Sequence, residues 1–248
     1  MKTICIYNHK GGVGKTTTTL NLGGGLSLRG KRVLMIDLDP QMNLTQSLRI
    51  GETQRDIYGS FTGRYKLSPV EVSENLFLVP SSRELRNIET EFSNRIGGQV
   101  RLRKILSEVG DFDYCLIDCP PSLSLLSINA MTASSEIIVP LTPEFYSIQG
   151  MISLTEAIEE VRENLNGGLR LSGIVINLFN KQKIVHRDFA EAIQESFGEI
   201  VYPTKIRNSV AIEESPTQGK DVFRYDPESI GAKDYSEIVD EFLRRQEM

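Results

Sequence analysis

Lys10-Gly11-Gly12-Val13-Gly14-Lys15-Thr16-Thr17 is the stretch that decides the fold. The apolar run Ile4-Cys5-Ile6-Tyr7 leads into it and ends at Asn8; a helical pattern starts near Lys15. Strand, glycine-rich turn and helix, in that order, make a phosphate cradle. Glycines let backbone N–H groups converge on phosphate oxygens without Cβ clashes. The helix N-terminus adds partial positive charge. Lys15 is placed to reach the β and γ phosphates of ATP, and the Thr16 hydroxyl to ligate Mg2+. Residues 10–17 are thus the expected nucleotide-binding set.

The ordinary loop pattern, GxxxxGK[ST], wants a glycine at position 9, where this chain has His9. The deviant pattern KGGxGK[ST]T fits fully and adds a second lysine, Lys10. The following helix contains Gly23-Gly24-Gly25, at a propensity cost of roughly 1 kcal/mol per glycine relative to alanine. Close packing of the helix on a sheet could offset that cost.

Outward from the loop, short apolar runs alternate with longer helical patterns. Strands are expected at Thr3–Asn8, Arg32–Asp37, Leu76–Val79, Tyr114–Asp118, Glu136–Leu141 and Leu171–Asn177, with a seventh near Ile200–Pro203. Continuous runs such as Glu136-Ile137-Ile138-Val139 suit strands covered on both faces. Helices are expected at Lys15–Arg29, Gly98–Val109, Ser122–Ala133, Ser147–Asn164, Val185–Phe197 and Glu228–Arg245. This alternation predicts an α/β fold: one doubly wound, mostly parallel sheet with helices on both faces, of P-loop NTPase type. Residues 1–248 read as one domain. Thr53–Pro69 reads only as short helix and loop.

The 248 residues carry a net charge of −5, with 40% hydrophobic and 25% charged residues. That is globular composition, long enough to bury a full core without metal or disulfide staples. No global attraction to nucleic acid or an acidic membrane follows, so any such binding must come from a local patch. Cys5, Cys115 and Cys119 are odd in number and lack CxxC spacing, which suits reduced thiols and a cytoplasmic location. The expectation is a chain without a signal peptide and without a membrane span.

Two further carboxylate clusters stand at strand ends, where open α/β sheets bind ligands. The second strand ends in Asp37-Leu38-Asp39-Pro40-Gln41, and Tyr114-Cys115-Leu116-Ile117-Asp118 reads as a Walker B element. Asp118 is expected to hold Mg2+ through water. Cys119-Pro120-Pro121 suits a stiff, switch-like turn. For Asp37 and Asp39, capping or turn roles remain an alternative on the residues alone.

Taken together, Lys10–Thr17, Asp37-Leu38-Asp39-Pro40-Gln41 and Asp118-Cys119-Pro120-Pro121 resemble the deviant-Walker ATPases of the ParA/Soj partitioning family. The likeness continues through Pro140-Leu141-Thr142-Pro143-Glu144, Ile206-Arg207-Asn208, Gly219-Lys220 and Tyr225-Asp226-Pro227-Glu228-Ser229. The resemblance implies an ATP-dependent sandwich homodimer in which Lys10 crosses to the partner's ATP. It implies that Gly11 faces the opposite loop, that Asp39 positions the attacking water and that Asp37 supports the Mg2+ shell. It places Asn177 and Asn208 at the nucleotide. Catalysis would rest on Lys10, Lys15 and Asp39; the metal set would be Thr16, Asp37 and Asp118. It further implies slow hydrolysis stimulated by a ParB-like centromere-binding partner, nonspecific DNA binding, and nucleoid association in the ATP state.

There are departures. Lys205-Ile206-Arg207-Asn208 stands where members often have Ile-Pro-Arg-Asn, and Ser209-Val210-Ala211-Ile212 lacks an arginine some carry. Between Lys181 and Arg224, seven basic residues (Lys181, Lys183, Arg187, Lys205, Arg207, Lys220, Arg224) are matched by seven acidic ones. Composition alone therefore marks no DNA patch there. No appended helix-turn-helix precedes the loop, so sequence-specific operator binding is not expected. The alternative is a MinD-like membrane-cycling or cluster-positioning ATPase. It would need an amphipathic C-terminal helix with a basic polar face. Tyr235, Ile238, Val239, Phe242 and Leu243 form an apolar stripe, but Asp234, Glu237, Asp240 and Glu241 surround it. A core-packing helix and no membrane contact are expected instead.

Overall fold

The computed structural model describes residues 1–51, 55–144 and 147–247. Its apolar runs become strands β1 (Lys2–Ile6), β2 (Val33–Asp37), β3 (Val70–Ser73), β4 (Leu76–Val79), β5 (Tyr114–Asp118), β6 (Glu136–Leu141) and β7 (Arg170–Ile176). They form one sheet in the order β3-β4-β2-β5-β1-β6-β7. All neighbours pair in parallel except β3 with β4. The chain moves to one side of β1 for β2 and to the other for β6, so the C-terminal end of β1 is where ligands of such sheets sit.

The α-helices are α1 (Lys15–Leu28), α2 (Asn43–Ser47), α3 (Ile57–Thr62), α4 (Ile88–Phe92), α5 (Arg101–Leu106), α6 (Leu125–Ala133) and α7 (Ser147–Asn164). After these come α8 (Ile184–Phe197), α9 (Val210–Glu214), α10 (Val222–Tyr225) and α11 (Ile230–Glu247). Alternate strand residues feed opposite faces of the sheet. Cys5, Tyr7, Leu34 and Ile36 pack with α3 to α8. Ile4, Ile6, Val33 and Met35 pack with α1 and the C-terminal helices. A sheet buried on both faces explains why its strands read as unbroken apolar runs.

Helix α1 is nearly enclosed, and its glycines mark three contacts. A Cβ at Gly23 would lie 2.8 Å from Met35 Sδ of β2. At Gly24 it would lie 2.6 Å from the Asp221 carboxyl carbon, and at Gly25 2.5 Å from Val239 of α11. Packing on the sheet therefore accounts for one glycine only; the other two admit α10's capping residue and α11. Helix α11 buries Tyr235, Ile238, Val239 and Phe242, so its apolar stripe is used in the core. Among the described residues no helix is long and apolar enough to cross a membrane.

Two expectations need correction. The seventh strand is β3, an antiparallel edge; around Val201 there is only an isolated bridge to Ile174. Pro203 there has no N–H to continue a ladder. The expected helix at Gly98–Val109 is a 3-10 turn, Gly98–Val100, followed by the short α5. The turn is imposed by close packing, since a Cβ at Gly98 would sit 2.3 Å from the Phe92 carbonyl oxygen. The stretch read as short helix and loop does hold a short helix, α3, capped by Asp56 accepting from Gly59 N; Thr53 and Gln54 lie outside the described residues. The three cysteines are buried and free.

Candidate nucleotide site

The loop is tied down from both sides. Asn8 Nδ2 donates to the Pro140 carbonyl at 2.8 Å, and Asn8 Oδ1 accepts from Lys10 N at 2.9 Å. Gly12 and Gly14 have φ of +75° and +91°, which side chains with a Cβ rarely adopt. Asn177 Nδ2 donates to the Val13 carbonyl at 2.8 Å. It lies so close that a Cβ at Gly14 would be 2.6 Å from it. Gly11 differs: a Cβ there meets nothing within 4 Å.

The two lysines part company. Lys15 is buried and its Nζ donates to the Lys10 carbonyl at 2.9 Å. Burial lowers its pKa, opposed by the charge of Asp118. Lys10 turns outward and ion-pairs with Glu144.

Parallel register sets Asp37 directly beside Asp118. Thr16 Oγ1 donates to Asp118 Oδ2 at 2.7 Å. Asp118 Oδ1 is buried with no partner. Burial raises the Asp118 pKa, and the neighbouring Asp37 charge raises it further. Asp37 is fully engaged: Oδ2 accepts from Thr45 N at 2.8 Å and Thr45 Oγ1 at 2.6 Å, and Oδ1 from Asp39 N at 3.1 Å. Burial pushes its pKa up to about 6, against those hydrogen bonds. Asp39 accepts from Gln41 N at 2.8 Å. It lines a cavity of about 520 Å³ shared with Pro120 and Pro121.

A separate cavity of about 260 Å³ opens beside Gly14, lined by Thr17, Asn177, Ile206, Ile212 and Pro216 among others. Asn177 Oδ1 is buried there without a partner. Asn208 is exposed and is not part of that lining, whereas its neighbours Arg207 and Ser209 are.

The sequence matches the AAA domain family (AAA_31) over residues 1–171. It is 37% identical to the chromosome partitioning protein ParA of Caulobacter vibrioides, across 99% of this chain and 95% of that one. It is also 37% identical to the sporulation initiation inhibitor protein Soj of Bacillus subtilis, across 97% of each. This chain belongs to the ParA/Soj family of P-loop ATPases. Among solved structures, cobyrinic acid a,c-diamide synthase from Mycobacterium smegmatis, with bound ADP and magnesium, matches with a TM-score of 0.86. The identity is 29%, over 100% of this chain and 96% of that one.

The ParA/Soj site includes residues that sequence reasoning passed over. Asn8 anchors the loop, and Thr45 holds Asp37. Ser81 bridges them to the next strand, with Ser81 Oγ donating to the Asp39 carbonyl at 2.8 Å and Ser81 N to Thr45 Oγ1 at 3.0 Å. Asn8 was findable, as a polar residue ending an apolar strand just before the loop. Thr45 and Ser81 have no such signal, because only tertiary packing brings them to Asp37. Of the seven basic residues between Lys181 and Arg224, Arg207 is ion-paired to Asp234 and Arg224 to Asp221.

Proposed function

We propose that this chain is a partitioning ATPase that works as one domain and closes into an ATP-bound homodimer on nonspecific DNA. A ParB-like centromere-binding partner would then stimulate hydrolysis and release. The observation that carries this reading is the division between the two loop lysines. Lys15 stays in its own cradle, while Lys10 stands at the outer edge and bonds to Glu144 instead. A lysine so placed is available to a second protomer's nucleotide. The names of the ParA and Soj relatives support the biological setting.

Within one protomer, the backbone N–H groups of Gly11 to Thr17 receive the phosphates and Lys15 neutralises the β and γ oxygens. The donors fit Mg2+. Among the described residues no cluster of three or more histidine, cysteine or carboxylate side chains could hold a metal. Mg2+ takes one or two carboxylates plus phosphates and water, which the Thr16 hydroxyl and the unpartnered Asp118 Oδ1 can serve. When bound, the ion supplies charge neutralisation at the phosphate oxygens. Asp37, with both oxygens engaged, contributes negative charge and holds the Asp39 turn rather than ligating directly. Asp39 orients the attacking water, and Lys10 of the second protomer stabilises charge on the transferred phosphoryl group, as an arginine finger does. Asn177 Oδ1 accepts from the base; Asn208 reaches it only from outside the cavity. Hydrolysis yields ADP and phosphate, slowly without the partner. The protein is cytoplasmic and nucleoid-associated while ATP is bound.

The test is retention on random-sequence duplex DNA. Binding should require ATP and Mg2+ and weaken steeply with salt, as phosphate-led binding does. ATP-independent binding, or none at low salt, rejects the reading.

A further inference from the structure

A basic surface lies on the opposite side of the sheet from the C-terminal helices. Residues 92–107, Phe92-Ser93-Asn94-Arg95-Ile96-Gly97-Gly98-Gln99-Val100-Arg101-Leu102-Arg103-Lys104-Ile105-Leu106-Ser107, contain four basic residues and no acidic one. In a chain of net charge −5, that is where a local patch can form. The fold gathers all four: Arg95, Arg101, Arg103 and Lys104 line one concavity of about 500 Å³ with no acidic side chain in its wall. Among the described residues none of the four is ion-paired. Arg101 and Lys104 also line the adjoining cavity with Arg32; there Lys66 is ion-paired to Glu108 at 3.5 Å, so Arg32 alone extends the basic surface past α5.

Three of the arginines lie over aromatic rings. The guanidinium carbons of Arg95 and Arg101 lie 4.6 and 5.5 Å from the centre of the Phe92 ring. That of Arg32 lies 5.0 and 5.1 Å from those of Phe77 and Phe112. A guanidinium lodged on a ring loses less freedom when it meets a phosphate; Arg101 Nε and Arg103 Nη1 are further fixed by donating to the Phe61 and Leu165 carbonyls. The backbone beneath is rigid. Asn129 Oδ1 of α6 accepts from Leu102 N at 2.9 Å and Asn129 Nδ2 donates to the Gly98 carbonyl at 2.8 Å. Thr132 Oγ1 donates to the Gln99 carbonyl at 2.8 Å. Helix α6 itself begins shortly after the Pro120-Pro121 turn that flanks Asp118, so the platform is anchored to the nucleotide site's own frame.

We propose that this surface is a phosphodiester-backbone contact, a DNA-binding face built on α5. The inference rests on the partition reading above. A protein partner would require apolar anchors at its centre, and a lipid surface an apolar face. Here Ile96 is the one large apolar side chain exposed beside the four cations. Clustered cations neutralise backbone phosphates whatever the base sequence, which fits sequence-independent contact.

The experiment uses the full chain with Mg-ATP, random-sequence duplex DNA and a salt series. The variant is Arg95→Glu/Arg103→Glu/Lys104→Glu; Arg101 is left alone because its Nε also donates to the Phe61 carbonyl at 2.6 Å. A neutral variant, Arg95→Gln/Arg103→Gln/Lys104→Gln, guards against a folding defect. Basal ATP hydrolysis should be unchanged in both. DNA affinity should fall about tenfold or more at low salt. The slope of log affinity against log salt should become shallower by about 0.9 for each phosphate no longer neutralised. Wild-type affinity and slope in both variants overturn this inference while leaving the partition reading standing. A wild-type protein that binds no DNA with ATP removes both. Loss of binding to phosphatidylserine vesicles with DNA binding intact would assign the surface to lipid and reject the proposal.

Discussion

Lys10, the outer lysine of the loop, is ion-paired to Glu144 of its own chain. Glu144 is also held by Thr142 Oγ1 at 3.1 Å, and the Lys10 contact keeps its carboxyl below the usual range. If Lys10 acts on a second protomer, that pair must open as the dimer closes. An exposed ion pair contributes about 0–1 kcal/mol. Glu144→Gln should therefore favour ATP-dependent dimerisation by up to about fivefold per protomer, since two pairs open, read by light scattering against protein concentration. Weaker association than wild type would show that Glu144 is needed in the dimer. Lys10→Ala should bind ATP normally and lose turnover by about 100-fold or more.

Gly11 has no intrachain reason to be glycine. A Cβ there meets nothing, and its φ is not positive, whereas Gly12 and Gly14 are constrained by their own backbone. Gly11→Val should therefore fold and bind ATP as monomer with near wild-type affinity, yet stay monomeric at concentrations where wild type dimerises. Nucleotide titration paired with sedimentation separates the two properties. A variant that dimerises normally removes the claim that two loops face each other.

The two carboxylates at the end of β2 should respond differently to alanine. Asp39 accepts one backbone hydrogen bond at an open cavity, so Asp39→Ala should cost only about 1 kcal/mol of stability while nearly abolishing turnover with ATP still bound. Asp37→Ala leaves Thr45 N, Thr45 Oγ1 and Asp39 N without their buried acceptor. That should cost about 3 kcal/mol or more. Chemical denaturation and single-turnover hydrolysis, run on both variants, decide the assignment; normal turnover in Asp39→Ala rejects it.

Much of the sheet was legible because doubly covered strands are written as continuous apolar runs, and the loop because its glycines and lysines are local. The edge strand β3 was not, since Val70-Glu71-Val72-Ser73 pairs on one side only and needs little hydrophobicity. The break before α5 was not, although Gly97-Gly98 marks it, because the close approach of the Phe92 carbonyl to Gly98 shows only in the folded turn. Phosphate-site residues follow chain order along β1 and α1. Thr45, Ser81 and Glu144 meet them only through the fold. The basic surface at α5 was passed over in the sequence, because its four cations lie along an ordinary helical pattern and only the fold gathers them in one concavity.

Asn177 offers a test of base recognition. Its Nδ2 is committed to the Val13 carbonyl, leaving Oδ1 buried and unpartnered beside the cavity. An acceptor so oriented suits the exocyclic amine of adenine and disfavours the carbonyl of guanine. Asn177→Ala should weaken ATP binding about tenfold and shrink the preference for ATP over GTP. Equal losses for both nucleotides would mean that Asn177 only braces the loop.

Glu136 provides a pH test of stability independent of the nucleotide. Its carboxylate is buried and ion-paired with Lys2 and Arg170 at 2.6 Å each, while Gln246 Nε2 donates to it at 3.3 Å. It thereby ties β1, β7 and α11 to the start of β6. Burial alone would raise its pKa, but the Lys2 and Arg170 contacts overcome that and lower it. A lowered folded-state pKa gives stability that is present above the unfolded value and lost as pH falls through the folded one. Glu136→Gln should therefore destabilise at pH 7, by about 2–4 kcal/mol for a broken buried pair. The gap to wild type should close as pH falls below about 4.5. Denaturant melts of both proteins at pH 7 and at acid pH measure it. A gap that persists unchanged into acid would mean that the side chain acts through packing and not through its charge.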